Sequence, residues 1–179
     1  MEHIAKLIRD VPNFPKEGIL FKDITPIFSD PEAIYSTRIE LTNQILNAGL
    51  KSVDCIIGIE SRGFLFGVGI AEGLDTKFAL ARKPGKLPHT KISKTYNLEY
   101  GTNTIEMHTD AINPGDNVII HDDLLATGGT AIAVAELIKE LGGNVVGFSF
   151  IIELESLEGK KKIQEAIGED VTVLSLLKY

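Results

Sequence analysis

The sequence predicts an α/β fold: one domain with a mostly parallel central sheet flanked by helices. Three observations predict it. Short Val- and Ile-rich runs recur after residue 50, of the length and composition of strands buried on both faces. Stretches of helical length, with their own stop signals, alternate with those runs. The 179 residues make about one domain at ~150 residues each, and a chain of that size buries roughly 70% of the surface its unfolded form exposes.

The elements follow in order. Asp30-Pro31-Glu32 sets an N-cap with proline at the first helical position, so a helix should run to about Ala48, with Gly49 as its stop. Val53–Ile59 reads as a buried strand, Gly63–Ala71 as a buried helix and Lys77–Ala81 as a short strand. Thr95–Thr102 and Thr104–His108 read as an antiparallel excursion. Asn113-Pro114-Gly115-Asp116 is a turn. Asn117–His121 is a strand, Thr130–Leu141 a helix stopped by Gly142-Gly143, and Asn144–Ile152 a strand again. Leu157–Ile167 is amphipathic, and Val171–Leu174 is the last strand. No repeat, low-complexity tract or linker divides the chain, so residues 1–179 read as a single domain.

Composition removes several classes of function. Eighteen Lys and Arg against 25 Asp and Glu give a net charge of −7, which argues against a nucleic acid or an anionic membrane as partner. The one cysteine, Cys55, forms no internal disulfide and fits a reducing, cytoplasmic setting. The apolar run Gly63–Ala71 is less than half of the ~20 residues a membrane span needs. Glu2 and Asp10, with no apolar core between them, speak against a secretory leader. His3, His89, His108 and His121 have no ligand-like spacing to one another or to Cys55, so no zinc site is expected. Gly67-Val68-Gly69 lies inside a helical pattern rather than before one, which disqualifies it as a dinucleotide loop.

Parallel sheets bind ligands beyond the carboxyl ends of their strands, so the loops after Ile59, Ala81 and His121 should carry the chemistry. The third is the most specific: Val118-Ile119-Ile120-His121-Asp122-Asp123-Leu124-Leu125-Ala126-Thr127-Gly128-Gly129-Thr130. Glycines let backbone N–H groups converge on an anion, a helix start adds partial positive charge, and Thr127 and Thr130 add hydroxyls. Carboxylates repel a phosphate but accept hydrogen bonds from sugar hydroxyls or stabilise a developing cation. A phosphorylated sugar satisfies both halves of the stretch. The loop after Ile59, Glu60-Ser61-Arg62-Gly63, offers N–H groups and a guanidinium to a second anion. Residues 82–95 hold Arg82, Lys83, Lys86, Lys91 and Lys94 with no acid, which suits a lid over a polyanion.

With these residues the sequence resembles the type I purine phosphoribosyltransferases, and three further stretches narrow the resemblance to the adenine-using branch. They are Phe14–Pro26, Gly58–Gly67, and Arg82–Pro88 with Tyr96–Gly101; together they cover nearly the whole chain in the family's order. The resemblance implies that phosphoribosyl pyrophosphate and adenine give AMP and diphosphate, with Mg²⁺ held mainly by the substrate and water. It implies a base-binding hood over residues 1–30, a flexible catalytic loop over residues 82–103, and a homodimer. Ala126, Thr127, Gly128, Gly129 and Thr130 would take the 5′-phosphate. Asp122 and Asp123 would hold the ribose hydroxyls, Asp122 through Mg²⁺-bound water. Glu60, Ser61, Arg62 and Gly63, together with Arg82, Lys83 and Lys86, would hold the pyrophosphate. Leu20, Phe21, Lys22 and Leu154 would bind adenine, Phe21 and Leu154 as a sandwich and Leu20 and Lys22 by backbone groups. Glu99 would act as general base, and a non-proline cis peptide is expected in the pyrophosphate loop.

Two positions depart from the pattern. His121 stands where an apolar residue usually precedes the acids, and is expected either to hydrogen-bond nearby or to stand as a half-buried side chain, outside the chemistry in both cases; Glu17 stands where proline is more familiar. Two other readings stay open: a transferase for a different nucleobase, and a non-catalytic sensor of phosphoribosyl pyrophosphate.

Overall fold

The computed structural model describes residues 2–50, 52–97 and 101–179. Along the chain the elements are α1 (Glu2–Lys6), β1 (Arg9–Pro12), β2 (Leu20–Asp23), α2 (Pro31–Asn47), β3 (Cys55–Ile59), α3 (Gly63–Gly73), β4 (Lys77–Ala81), β5 (Lys91–Asn97), β6 (Thr102–His108), β7 (Asn117–Leu125), α4 (Gly129–Glu140), β8 (Asn144–Glu153), α5 (Gly159–Ile167) and β9 (Thr172–Lys178). The Val- and Ile-rich runs and the Phe-, Leu- and Ala-containing β4 form one five-stranded sheet in the order β4-β3-β7-β8-β9, with every neighbouring pair parallel.

Alternate side chains feed two cores, as the period-2 geometry of a strand requires. Val118 and Ile120 of β7 pack on one face with Val134, Leu137 and Ile138 of α4 and Ile163 of α5. Ile119 packs on the other with Leu41 and Ile45 of α2 and Phe66 and Ile70 of α3. Asp30 caps α2 as expected: its carboxylate accepts from Glu32 N at 2.9 Å and Ala33 N at 3.3 Å, a contact worth ~1 kcal/mol. Gly67 and Gly69 lie inside α3. Among the described residues no helix is long and apolar enough to cross a membrane.

Several boundaries move, each for a pairing reason. β7 does not stop at His121. It continues to Leu125 because β8 pairs with it as far as Asp122↔Phe150, Leu124↔Ile152 and Leu125↔Glu153. Both acids therefore lie on a strand rather than in a loop. The antiparallel excursion starts at Lys91, not Thr95, with Lys91↔His108 as its first register pair. β9 runs to Lys178, and β3 begins at Cys55. The amphipathic segment splits, since Glu158 takes a left-handed conformation (φ 53°) between the 3₁₀ turn Glu155–Leu157 and α5. The antiparallel pair β1–β2 and the short α1 have no strong periodicity, and the sequence reading leaves them undrawn.

Candidate active site

The two acids of β7 sit at the carboxyl end of the sheet. Asp123 is 2% exposed. Its backbone N–H donates to Asp122 Oδ1 at 2.9 Å, and its Oδ2 lies 2.9 Å from Arg62 Nε. Burial, then the charge of Asp123, pushes Asp122 well above the usual carboxylate range. Burial also raises Asp123, while Arg62 opposes the rise. Asp123 is therefore shielded from solvent and Asp122 half-buried at the cavity wall, not the exposed turn that two adjacent acids suggest.

The loop from β3 to α3 lies directly on these acids. Its Glu60–Ser61 peptide is cis, as the resemblance implied. Gly63 explains the closeness of approach: a Cβ there would stand 2.6 Å from the His121 carbonyl oxygen and 3.2 Å from Asp122 Oδ1. The Arg62 guanidinium, besides meeting Asp123, lies 5.0 Å from the ring centroid of Phe21. One side chain thus spans the acid strand and the N-terminal hairpin. Glu60 faces elsewhere. Its Oε2 accepts from Arg82 Nε at 3.1 Å and from Lys83 N at 3.0 Å.

That contact revises the basic segment. Arg82 is braced to the scaffold by Glu60 and by two backbone bonds with Glu106. Lys91 and Lys94 are strand residues: Lys91 Nζ lies 2.8 Å from Glu106 Oε2, and Lys94 Nζ 2.8 Å from Glu136 Oε2. Glu106 also accepts from Gly85 N, and Lys91 holds its carboxyl below the usual range. Three of the five cations are therefore balanced by acids remote in sequence. Lys83 and Lys86 are exposed. Glu99 lies outside the described residues, as do Leu98 and Tyr100.

After Leu125 the chain turns through Ala126–Gly128 into α4. Gly128 has φ +80° and caps α4 without a side-chain bond, so the first N–H groups of that helix remain open to an acceptor. Asp122 and Ala126–Thr130 line a cavity of about 180 Å³ there. The Tyr96 hydroxyl reaches this loop from β5, 2.9 Å from Thr130 Oγ1.

A second, mostly apolar cavity of about 390 Å³ adjoins it, lined by Leu20, Phe21 and Lys22 on one side and Leu154 on another. Leu124, Ala126 and Thr127 line both cavities. The expected base and phosphate residues thus fall in neighbouring spaces with a shared wall. Leu124 and Tyr96 both sit inside stretches quoted for the resemblance, yet nothing in their residue type singles them out. Phe14 meets Phe21 edge-on at 5.1 Å, beyond a cis Phe14–Pro15 bond.

His121 lines neither cavity. Of the two expectations for it the hydrogen-bonding one holds: it is fully buried, not half-buried, with Nδ1 3.0 Å from the Ser149 carbonyl oxygen. Burial pushes its pKa down to about 4, so it is neutral at pH 7. Among the described residues no group of three or more His, Cys, Asp or Glu side chains is arranged to hold a metal ion.

A parallel sheet ending in an acid pair, a helix-start loop and an adjoining apolar slot define a class of transferase. The phosphoribosyl transferase domain matches residues 29–174, and the chain belongs to that family. Its relatives name the branch. A protein of Crocosphaera subtropica is 52% identical over 173 residues, covering 97% of each chain, and is called adenine phosphoribosyltransferase. Among solved structures, the adenine phosphoribosyltransferase of Thermoanaerobacter pseudethanolicus aligns over 99% of each chain, with TM-score 0.92 and 44% identity. That of Saccharomyces cerevisiae, complexed with an imino-altritol bisphosphate and adenine, aligns over 98% of this chain and 97% of its own. Its TM-score is 0.90 and its identity 39%.

Proposed function

We propose that the chain transfers the phosphoribosyl group of phosphoribosyl pyrophosphate to adenine, giving AMP and diphosphate. The observation that carries this reading is the shared wall between the apolar slot and the anion loop. A flat base and a sugar phosphate bound there meet at Leu124, Ala126 and Thr127. The yeast relative, similar over nearly its whole length, is complexed with adenine and a bisphosphate.

In this mechanism the open N–H groups of Gly129 and Thr130 and the Thr127 hydroxyl bind the 5′-phosphate. Asp122 and Asp123 accept bonds from the ribose hydroxyls. Arg62 leaves Asp123 to meet the pyrophosphate, with Ser61, Gly63, Lys83 and Lys86 around it. Glu60 and Arg82 brace that segment from behind. The bond from the anomeric carbon to pyrophosphate oxygen breaks with its electron pair on the oxygen. Positive charge grows on the ribose ring beside the two carboxylates. The imidazole nitrogen of adenine forms the new bond to the same carbon, and its proton passes to Glu99. Phe21 and Leu154 sandwich the base. Backbone groups of Leu20 and Lys22 distinguish a 6-amino from a 6-oxo purine, since each mismatched buried group costs roughly 1–3 kcal/mol.

Mg²⁺ fits this donor set as a hard cation with Asp122 nearby, and when bound it neutralises the pyrophosphate charge. Its other ligands would be substrate and water oxygens. A homodimer and a cytoplasmic location belong to the same reading. Leu65 and Val68 on α3 and Tyr35 on α2 are 54%, 55% and 61% exposed, an apolar surface suited to a second copy. Sedimentation should return twice the 19.5 kDa mass of the chain.

The direct test offers adenine, hypoxanthine, guanine and xanthine separately, with phosphoribosyl pyrophosphate and Mg²⁺. AMP from adenine alone is expected. Product from another base alone would overturn the base assignment, and binding of phosphoribosyl pyrophosphate without turnover of any base would point to a sensor.

A further inference from the structure

The hairpin β1–β2 has one buried side chain, and it is a lysine. Lys22 is buried, while Leu20 is 49% exposed and Phe14 and Ile19, in the connecting turn, are 50% and 44% exposed. A two-stranded ribbon is marginal in water unless it packs on another element. This ribbon has little apolar face with which to do so, and its placement rests on a few polar anchors.

The Lys22 ammonium is held on two sides. Nζ donates to Asp10 Oδ1 at 2.6 Å, from the residue directly across the ribbon, and lies 4.0 Å from the ring centroid of Tyr179. Its side chain is only 10% exposed. Tyr179 is itself fixed. Its N–H donates to the Glu153 carbonyl at 2.9 Å, and its own carbonyl accepts from Glu155 N at 2.9 Å. Those two partners flank Leu154, which lines the apolar slot opposite Leu20–Lys22. Both walls of the slot are thus referred to one residue that lines neither cavity, the Leu154 side through the Tyr179 backbone and the Lys22 side through its ring.

We infer that Tyr179 is a positioning residue for the base. By seating the Lys22 ammonium on its ring face, it sets the distance and angle of the β2 backbone relative to Leu154. This rests on the base site proposed above. The contact uses the ring face and not the hydroxyl, so phenylalanine should replace tyrosine and leucine should not. A desolvated cation on an aromatic face is strong enough to matter at this scale. Arg9 Nε, 3.5 Å from Asp23 Oδ2, ties the two strands of the ribbon to each other, and Arg62 over Phe21 is its other charged contact with the rest of the molecule. That contact leaves the ribbon attached but free to tilt when the ring is removed.

The test compares wild type, Tyr179→Leu and Tyr179→Phe in steady-state kinetics and in amide hydrogen exchange. Tyr179→Leu should raise the KM for adenine about fivefold to tenfold, leaving the KM for phosphoribosyl pyrophosphate and kcat within about twofold. Exchange should quicken at residues 9–12 and 20–23 and stay unchanged in β3 and β7. Tyr179→Phe should match wild type in both. Unchanged exchange in the ribbon, equal damage from phenylalanine, or a joint rise of both KM values would each overturn the inference. If the wild type does not turn over adenine, the functional reading fails separately, and the exchange comparison alone decides whether the ring holds the ribbon.

Discussion

The chemistry of the site comes from charges placed where water is scarce. Asp122 and Asp123 would each be hydrated in an isolated turn; on β7 Asp123 is buried and Asp122 half-buried, and the loss of water makes their ionised forms costly. For a carboxylate whose pKa is raised on folding, the stability contribution is full below the unfolded value near 3.8 and is lost as pH rises above it. Asp122→Asn should therefore melt at a higher temperature than wild type at pH 7, with the gap closing as pH falls toward about 4. The same variant should lose about a hundredfold in kcat/KM, because the stabilising charge at the ribose is gone. Calorimetry across pH, beside the product assay, checks both halves. A variant that melts lower at pH 7 would mean the carboxylate is not paying a burial penalty. At this scale the sequence shows the acids and the anion loop plainly, since residue type and order carry them. It does not show that Arg62 pairs with Asp123 and Glu60 with Arg82, because those pairings cross between separate strands and loops.

Elements position these groups through close backbone approach and through acids supplied from neighbouring strands. Gly63 has backbone against it on β7, which cannot yield as a flexible side chain would. Gly63→Ala should cost about 1–3 kcal/mol of stability, as overpacking does, and raise the KM for phosphoribosyl pyrophosphate by displacing the pyrophosphate loop. Urea unfolding together with substrate titration reads both; a variant normal in both would show that the loop shifts freely. Glu106 has a comparable task in the basic segment, joining Gly85 N and Lys91 Nζ across the start of the hairpin. Glu106→Ala should speed tryptic cleavage after Lys86 several-fold without altering cleavage elsewhere, as local opening becomes cheaper. The strand continuation past His121 was hidden from the sequence for a physical reason. Acids rarely occupy a buried strand, so a polar pair reads as a strand end unless the pairing with β8 is known. The hairpin start at Lys91 was hidden likewise, its lysines looking like loop cations until Glu106 and Glu136 are seen opposite them.

For the molecule as a whole, the fold class was legible because the signals that set it are distributed: five apolar runs, a capped helix and glycine stops agree along the chain. The N-terminal ribbon was not, because its order depends on contacts with Tyr179 at the far end of the sequence. Global stability should also carry the mark of one core residue. His121 sits between the acid pair and the sheet interior, fully buried and neutral. Its pKa falls from 6.5 in the unfolded chain to about 4 in the fold. Between these values the unfolded state binds the proton and the folded state does not, so folding is increasingly opposed as pH drops from about 6.5 to about 4. At 1.36 kcal/mol per pH unit the full loss is about 3 kcal/mol. His121→Phe removes this term while leaving both acids in place. Denaturant unfolding of wild type and variant from pH 7 to pH 4 should give free energies that diverge in this window, wild type falling by about 3 kcal/mol relative to the variant. Parallel curves would mean that the imidazole is protonated as readily in the folded core as in water, and that Ser149 and the surrounding side chains do not isolate it.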